Sequence, residues 1–183
     1  MDAVKENWTL PTLLLFLPAD GTRGGVALFW DPSIVHITNP SIRQFSISAS
    51  VTILSSGASF TLSTVYGSAE DAIKPTFLQE MKDLVPSAGE PWLIAGDFNL
   101  IYEARDKNND NLCRRLMGQF RAALNQAELF ELRCSNRKFS WSNERELPTL
   151  VNLDRIFCNA AWDAIFSPCA VQALSTSHSD HCP

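Results

Sequence analysis

The chain has no long apolar run, no cysteine pair and no basic surplus, and each absence removes a class of protein. The run Leu13-Leu-Leu-Phe-Leu17 is bracketed by Pro11 and Pro18, far short of the about 20 apolar residues that span a bilayer. Asp2 and Glu6 precede it and no small-residue cleavage pattern follows, so a signal peptide is not expected. The five cysteines, Cys113, Cys134, Cys158, Cys169 and Cys182, include no CxxC pair. An odd, scattered set argues against a disulfide framework and against a zinc ribbon. Reduced, buried thiols in an intracellular protein, nuclear or cytoplasmic and not secreted, are the expectation. His178 and His181 stand three apart, but no cysteine or carboxylate cluster tuned for zinc accompanies them. With 15 Lys and Arg against 20 Asp and Glu the net charge is −5. That counts against a free-standing nucleic-acid-binding module, but a carboxylate-built metal centre is acidic until its cation binds.

What is there suits a packed fold. The 183 residues are 45% hydrophobic and include 11 Phe and 5 Trp, enough for one domain, 1–183, that buries roughly 70% of its unfolded surface. Val26-Ala-Leu-Phe-Trp30 follows Gly24-Gly25 and reads as a buried strand ended by Asp31-Pro32. Phe45, Ile47, Ala49, Val51 and Ile53 alternate with Ser or Thr, the period of a half-buried strand. Ser55-Ser-Gly57 turns the chain into a second strand, Phe60 to Tyr66. After Pro75 the period becomes helical through Phe77, Leu78, Met81, Leu84 and Val85, until Pro86 and Gly89. Trp92 to Ala95 is a strand-length apolar run between Pro91 and Gly96. A second helix is expected over Arg114 to Leu132. Short strands are expected around Phe139 to Trp141 and Leu153 to Phe157, a helical turn near Ala160 to Phe166, and a strand from Cys169 to Leu174. Mixed sheets with helices outside, an α/β sandwich, fit this sequence of elements.

Three short segments carry candidate chemistry. Gly96-Asp-Phe-Asn99 directly follows the Trp92 strand. Asp97 and Asn99 stand two apart, so in extended chain both side chains face one way, able to hold a water or a metal. A strand-terminating turn would favour the same residues on backbone grounds alone. Ser179-Asp-His181 sets an acid beside an imidazole, fit for metal ligation and proton transfer or equally for a solvated loop. In Leu153-Asp-Arg-Ile-Phe157 an aspartate lies among apolar strand residues, where it needs a partner. Arg155 falls on the opposite face, so that partner is distant in sequence: a structural ion pair, or an imidazole that Asp154 orients.

In order along the chain stand Gly21-Thr-Arg-Gly-Gly-Val-Ala-Leu-Phe-Trp30, Val65-Tyr-Gly67, Gly96-Asp-Phe-Asn99, Phe139-Ser-Trp-Ser-Asn143, Leu153-Asp-Arg155 and Ser179-Asp-His-Cys-Pro183. This succession, covering about residues 16 to 183, resembles the endonuclease/exonuclease/phosphatase superfamily with its deoxyribonuclease-like fold. Within it the look is closest to the endonuclease domain of plant LINE-type (non-LTR) retrotransposons. The resemblance implies a four-layer α/β sandwich, two mixed sheets flanked by helices, that hydrolyses phosphodiesters of nucleic acid, DNA rather than RNA, with Mg2+ (or Mn2+). It implies that Asp97 orients or deprotonates the attacking water beside Asn99. Asp180 would be a metal ligand, His181 would contact a phosphate oxygen with Asp154 fixing its tautomer, and Tyr66 would place its hydroxyl near the scissile phosphate.

The chain departs from the superfamily pattern in three places. The opening strand with its Asn, and the following strand whose Glu is the principal metal ligand, are not found before Gly21. Glu6 has no apolar strand before it and is not promoted to ligand. Gly67-Ser-Ala69 stands where an Asn often follows Val-Tyr, and the closing strand after Pro183 is absent. The sequence therefore reads as a domain incomplete at its N-terminus. It leaves three functions open: a metal-dependent nuclease, a catalytically inactive retrotransposon-derived fragment, and a small-molecule or lipid phosphoesterase.

Overall fold

A computed structural model describes residues 13–19, 24–174 and 179–182. The Gly21 to Arg23 part of the glycine motif, His178 and Pro183 lie outside the described residues. Ten strands and three α-helices follow in order: β1 (Leu13–Leu17), β2 (Val26–Trp30), β3 (Val35–Ile42), β4 (Ser46–Ile53), β5 (Ser59–Tyr66), α1 (Lys74–Asp83), β6 (Trp92–Asp97), α2 (Arg114–Gln126), β7 (Phe130–Glu131), β8 (Trp141–Ser142), β9 (Leu150–Val151), β10 (Asp154–Cys158) and α3 (Ala160–Phe166). A 3-10 turn, Ala104–Asp106, precedes α2. Six strands form one mixed sheet in the order β3-β4-β5-β6-β10-β7, parallel only between β5 and β6. β1 pairs with β2 and β8 with β9. This is the mixed α/β sandwich architecture that the sequence pattern called for.

The two faces of the large sheet follow from the alternation of side chains along its strands. On one face Phe45, Val65, Trp92, Ile94 and Phe157 join Phe77, Met81, Phe120 and Leu124 of α1 and α2 in the main core. The Trp92 indole N–H, fully buried, donates to Ser63 Oγ at 3.0 Å. The other face carries Ile47, Ala49 and Val51, all buried, and the β1–β2 ribbon packs against β4 and β5 there. Glu80 of α1 accepts from the backbone N–H groups of Gln44 and Phe45 and from the Ser46 hydroxyl, which locks that helix to the start of β4.

Beside Asp154 on β10, Arg155 turns to the helix face. Its guanidinium is buried between Asp106 (2.7 Å) and Glu131 (2.6 Å) and lies over the Tyr102 ring. The opposite-face reading of Arg155 holds, and its two carboxylate partners come from the 3-10 turn and β7.

Four expectations need correction. The second helix ends at Gln126 and not at Leu132, because Glu128 adopts φ +53, which breaks the helix and lets Phe130–Glu131 pair with β10. Cys169 to Leu174 is not a strand: among the described residues it makes one bridge, Val171 to Cys134. β3 had no counterpart in the sequence pattern. Of the five thiols only Cys158 is buried, while Cys113 and Cys169 are exposed. Burial pushes the Cys158 thiol up to about 11. Alkylation of the native protein is therefore expected at Cys113 and Cys169 within minutes and at Cys158 only after unfolding. Peptide mapping that finds Cys158 labelled as fast as the exposed pair would contradict this packing.

Candidate active site

Three sequence motifs meet at one end of the central strands of the large sheet because of how those strands pair. Tyr66, the last residue of β5, lies opposite Asp97, the last of β6, and Asp97 lies opposite Asp154, the first of β10. Directly paired residues project to the same face, so all three side chains rise from one end of the face that β1–β2 partly covers. His181 reaches them from the C-terminal segment, which bridges to Trp141 of β8.

The contacts are short. His181 Nδ1 lies 2.8 Å from Asp154 Oδ2. Ligand atoms of Asp97, Asp154 and His181 all lie within 4.8 Å of one another. Asn99 donates its backbone N–H to Asp97 Oδ1 and its side-chain amide to Asp97 Oδ2, both at 2.8 Å, and to the Gly67 carbonyl at 3.0 Å. The backbone bond is an Asx turn, with Asn99 at φ +47, a region asparagine tolerates. The turn reading and the chemical reading of this motif are thus both true of the same two residues. Between them Phe98 points the other way, fully buried among Phe77, Phe120 and Phe157, and anchors the loop.

Two glycines make this closeness possible. At Gly67 a Cβ would stand 2.1 Å from the Phe98 carbonyl oxygen, and at Gly96, with φ +141, it would stand 2.0 Å from the Val65 carbonyl oxygen. At Gly67 a side chain has no room, and Asn99 takes the carbonyl of that residue.

Burial acts first on Asp97, which is 8% exposed. Its carboxyl is pushed up to about 6, mainly by desolvation and further by the Asp154 charge, against the hydrogen bonds of Asn99 and the attraction of His181. His181 is held above its ordinary value, chiefly by the hydrogen bond to Asp154, against desolvation, with the Asp97 and Asp180 charges adding. A carboxylate ready to accept a proton near neutrality thus faces an imidazole inclined to keep one.

The structure brings Asp97, Asn99, Asp154 and His181 together. The Tyr66 ring abuts Gly24, where a Cβ would meet it at 2.8 Å, which explains one glycine of the pair before β2. Asp180 accepts the Trp141 indole N–H at 2.8 Å and is not one of the three mutually close groups. The role of Trp141 in seating Asp180 was missed, although its motif was in view, because nothing in sequence marks an indole as a donor to a residue 39 positions on. For a divalent cation the donor chemistry fits: two carboxylates and one imidazole bring ligand atoms within 4.8 Å of one another, and oxygen donors suit a hard ion.

No curated protein matches the chain in sequence. Solved structures match in fold. The endonuclease domain of TRAS1, a telomere-specific non-LTR retrotransposon, superposes with a TM-score of 0.69 at 17% identity, over 93% of this chain and 75% of that one. TDP2 of D. rerio, solved with a single-strand DNA product, gives 0.58 at 15% identity over 92% and 74%. The human Nocturnin catalytic domain with bound sulfate gives 0.53 at 17% identity over 81% of this chain. The chain spans 61% of that domain. The family description Endonuclease/Exonuclease/phosphatase family matches residues 3–181, and on that match, which takes in Asp97, Asn99, Asp154 and His181, the chain belongs to that family.

Proposed function

We propose that this chain is a metal-dependent nuclease that hydrolyses phosphodiesters, DNA before RNA, with the active site of a non-LTR retrotransposon endonuclease. The observation that carries the reading is the Asp154–His181 contact of 2.8 Å set against the Asp97–Asn99 pair. Family membership supports a phosphoester hydrolase, and the fold of TRAS1 and of a DNA-bound TDP2 supports a nucleic-acid substrate.

In this reading Asp97 accepts a proton from the attacking water, which its raised carboxyl suits, and Asn99 orients both. Asp154 keeps the proton on His181 Nδ1, leaving Nε2 to donate to a non-bridging phosphate oxygen as charge builds there. Tyr66 lies at the next strand end, within the same wall. Asp97 and Asp154 would hold Mg2+, while Asp180 is engaged by the Trp141 indole. When bound, the ion supplies positive charge against the phosphate and the leaving oxygen.

The test is nicking of supercoiled plasmid, with a single-stranded RNA arm in parallel. Wild type should nick in Mg2+ and stop with chelator, and the double variant Asp97→Ala, His181→Ala should be slower by about 10³-fold. Activity should rise with pH as Asp97 ionises, with that limb moved below the metal-free value of about 6 by the bound cation, and fall again above the elevated value of His181 as the imidazole loses its proton. A wild type no faster than the double variant defeats the proposal and favours the inactive-fragment reading. Turnover of small phosphoesters without nicking favours the phosphoesterase.

A further inference from the structure

Ser140 lies in the Phe139-Ser-Trp-Ser-Asn143 motif, to which the reading above gives no chemistry. It is buried, 8% exposed, and it stands where three segments meet. Its hydroxyl oxygen accepts two backbone N–H groups, those of Leu153 and Asp154, each at 2.9 Å. Its carbonyl accepts the N–H of Cys182 at 2.8 Å, and its own N–H donates to Val151 at 3.0 Å. The same short strand continues the grip: Ser142 donates to the Asp180 carbonyl at 3.1 Å, and Trp141 donates to the Asp180 side chain.

Asp154 and His181 are 27 residues apart and sit on different pieces of chain. Asp154 opens β10, whereas His181 rides on a segment that makes no pairing with the six-stranded sheet among the described residues. The contact between them is a single hydrogen bond, with both side chains about a third exposed. Such a bond does not by itself fix two segments in place, because an exposed ion pair contributes little. The backbone links through Ser140 are buried, and a buried N–H deprived of its acceptor is costly.

We propose that Ser140 is a positioning residue: its hydroxyl sets the start of β10 while its carbonyl sets the segment after His181, so that one residue holds the acid and the imidazole at bonding distance. This rests on the nuclease reading for its consequence in catalysis, but its structural content stands apart from it. Ser140 touches no reacting atom and acts through the two segments it joins. Any small residue would fill the space, whereas only a hydroxyl oxygen supplies the double acceptor.

The experiment compares Ser140→Ala, Ser140→Cys and Ser140→Thr with wild type in two measurements. The first is the downfield proton NMR signal of the hydrogen-bonded His181 imidazole N–H, identified by its absence in His181→Gln and recorded without substrate. Wild type and Ser140→Thr should show it. Ser140→Ala should lose it, and Ser140→Cys, with a weak sulfur acceptor, should show it broadened. The second is cleavage of plasmid: kcat should fall about 10- to 100-fold in Ser140→Ala, the scale of a small misplacement of reacting groups, with KM within about twofold, and Ser140→Thr should restore it. A folded Ser140→Ala that keeps both signal and kcat overturns the proposal. Should Ser140→Ala fail to fold, a folded Ser140→Cys that matches wild type in both measurements overturns it equally. A wild type without cleavage whose imidazole signal still follows this order rejects the nuclease reading and leaves the positioning role intact.

Discussion

Asp97→Asn should abolish cleavage and yet stabilise the folded protein. The carboxyl of Asp97 goes from 3.8 to about 6 on folding, so the ionised group costs the folded state about 3 kcal/mol at neutral pH. The sign is that of a raised group: its contribution favours the fold fully below about pH 4 and is lost as pH rises through about 6. Asparagine carries no charge to desolvate, but it offers one acceptor oxygen where Asn99 now uses two. The net gain should therefore be smaller, about 1–2 kcal/mol at pH 7.5, vanishing near pH 4. Denaturant midpoints in chelator at the two pH values measure this. A variant less stable than wild type at pH 7.5, or one that cleaves within tenfold of it, contradicts the assignment of Asp97.

Gly96→Ala should be the most damaging alanine substitution among the glycines of the described residues. Position 96 sits mid-sheet at φ +141, and the added carbon would lie 2.0 Å from the Val65 carbonyl oxygen, a backbone atom held in the β5–β6 ladder. Neither the conformation nor the neighbour can give, so the loss should be about 4 kcal/mol or more. That is a large share of a marginal stability. Gly57→Ala supplies the control, since φ is +72 but nothing lies within 4 Å, and its cost should be about 1 kcal/mol. Urea unfolding of both decides it: losses of similar size would show that the sheet yields at Gly96.

The places of Asp97, Asn99 and Asp154 were legible from sequence because each lies where a strand of recognisable pattern begins or ends, whereas no strand pattern leads to His181. Trp92 to Ala95 is an unbroken apolar run, so Asp97 and Asn99 fall where a rigid strand meets an open loop. Leu153 to Phe157 marks the strand that Asp154 begins. The pairing that sets Tyr66, Asp97 and Asp154 side by side is not written in any local pattern, since register depends on partners far along the chain. β3 stayed hidden for a different reason. Asn39-Pro40 interrupts it, and proline in a run speaks against a central strand. The structure resolves the conflict by placing β3 at the sheet edge, with a bulge between Thr38 and Ser41 and Asn39 at φ +51. Ser140 could not have been found, because a buried hydroxyl that accepts backbone N–H groups leaves no periodicity and no charge. The helix period of α2 runs on through Leu129 and Phe130, and only the backbone at Glu128 shows that it stops earlier.

The adjacency of Asp154 and Arg155 has a consequence for folding accuracy. The two neighbours carry opposite charge to opposite faces: one to the open edge, the other into a dry cleft already holding Asp106 and Glu131. If β10 slid by one residue against β6, the faces would exchange. A carboxylate would then join two others away from water, with no cation among them, while the guanidinium would hang beside Asp97 and His181. Like charges so confined are heavily penalised, so the mis-aligned sheet is a poor competitor even though Ile156 and Phe157 are nearly interchangeable as apolar side chains. Arg155→Met, which leaves Asp106 and Glu131 buried without their cation, should therefore destabilise the native alignment and narrow the gap to its slipped alternative, with a slow refolding phase, absent in wild type, as the sign of chains that paired one residue out of place.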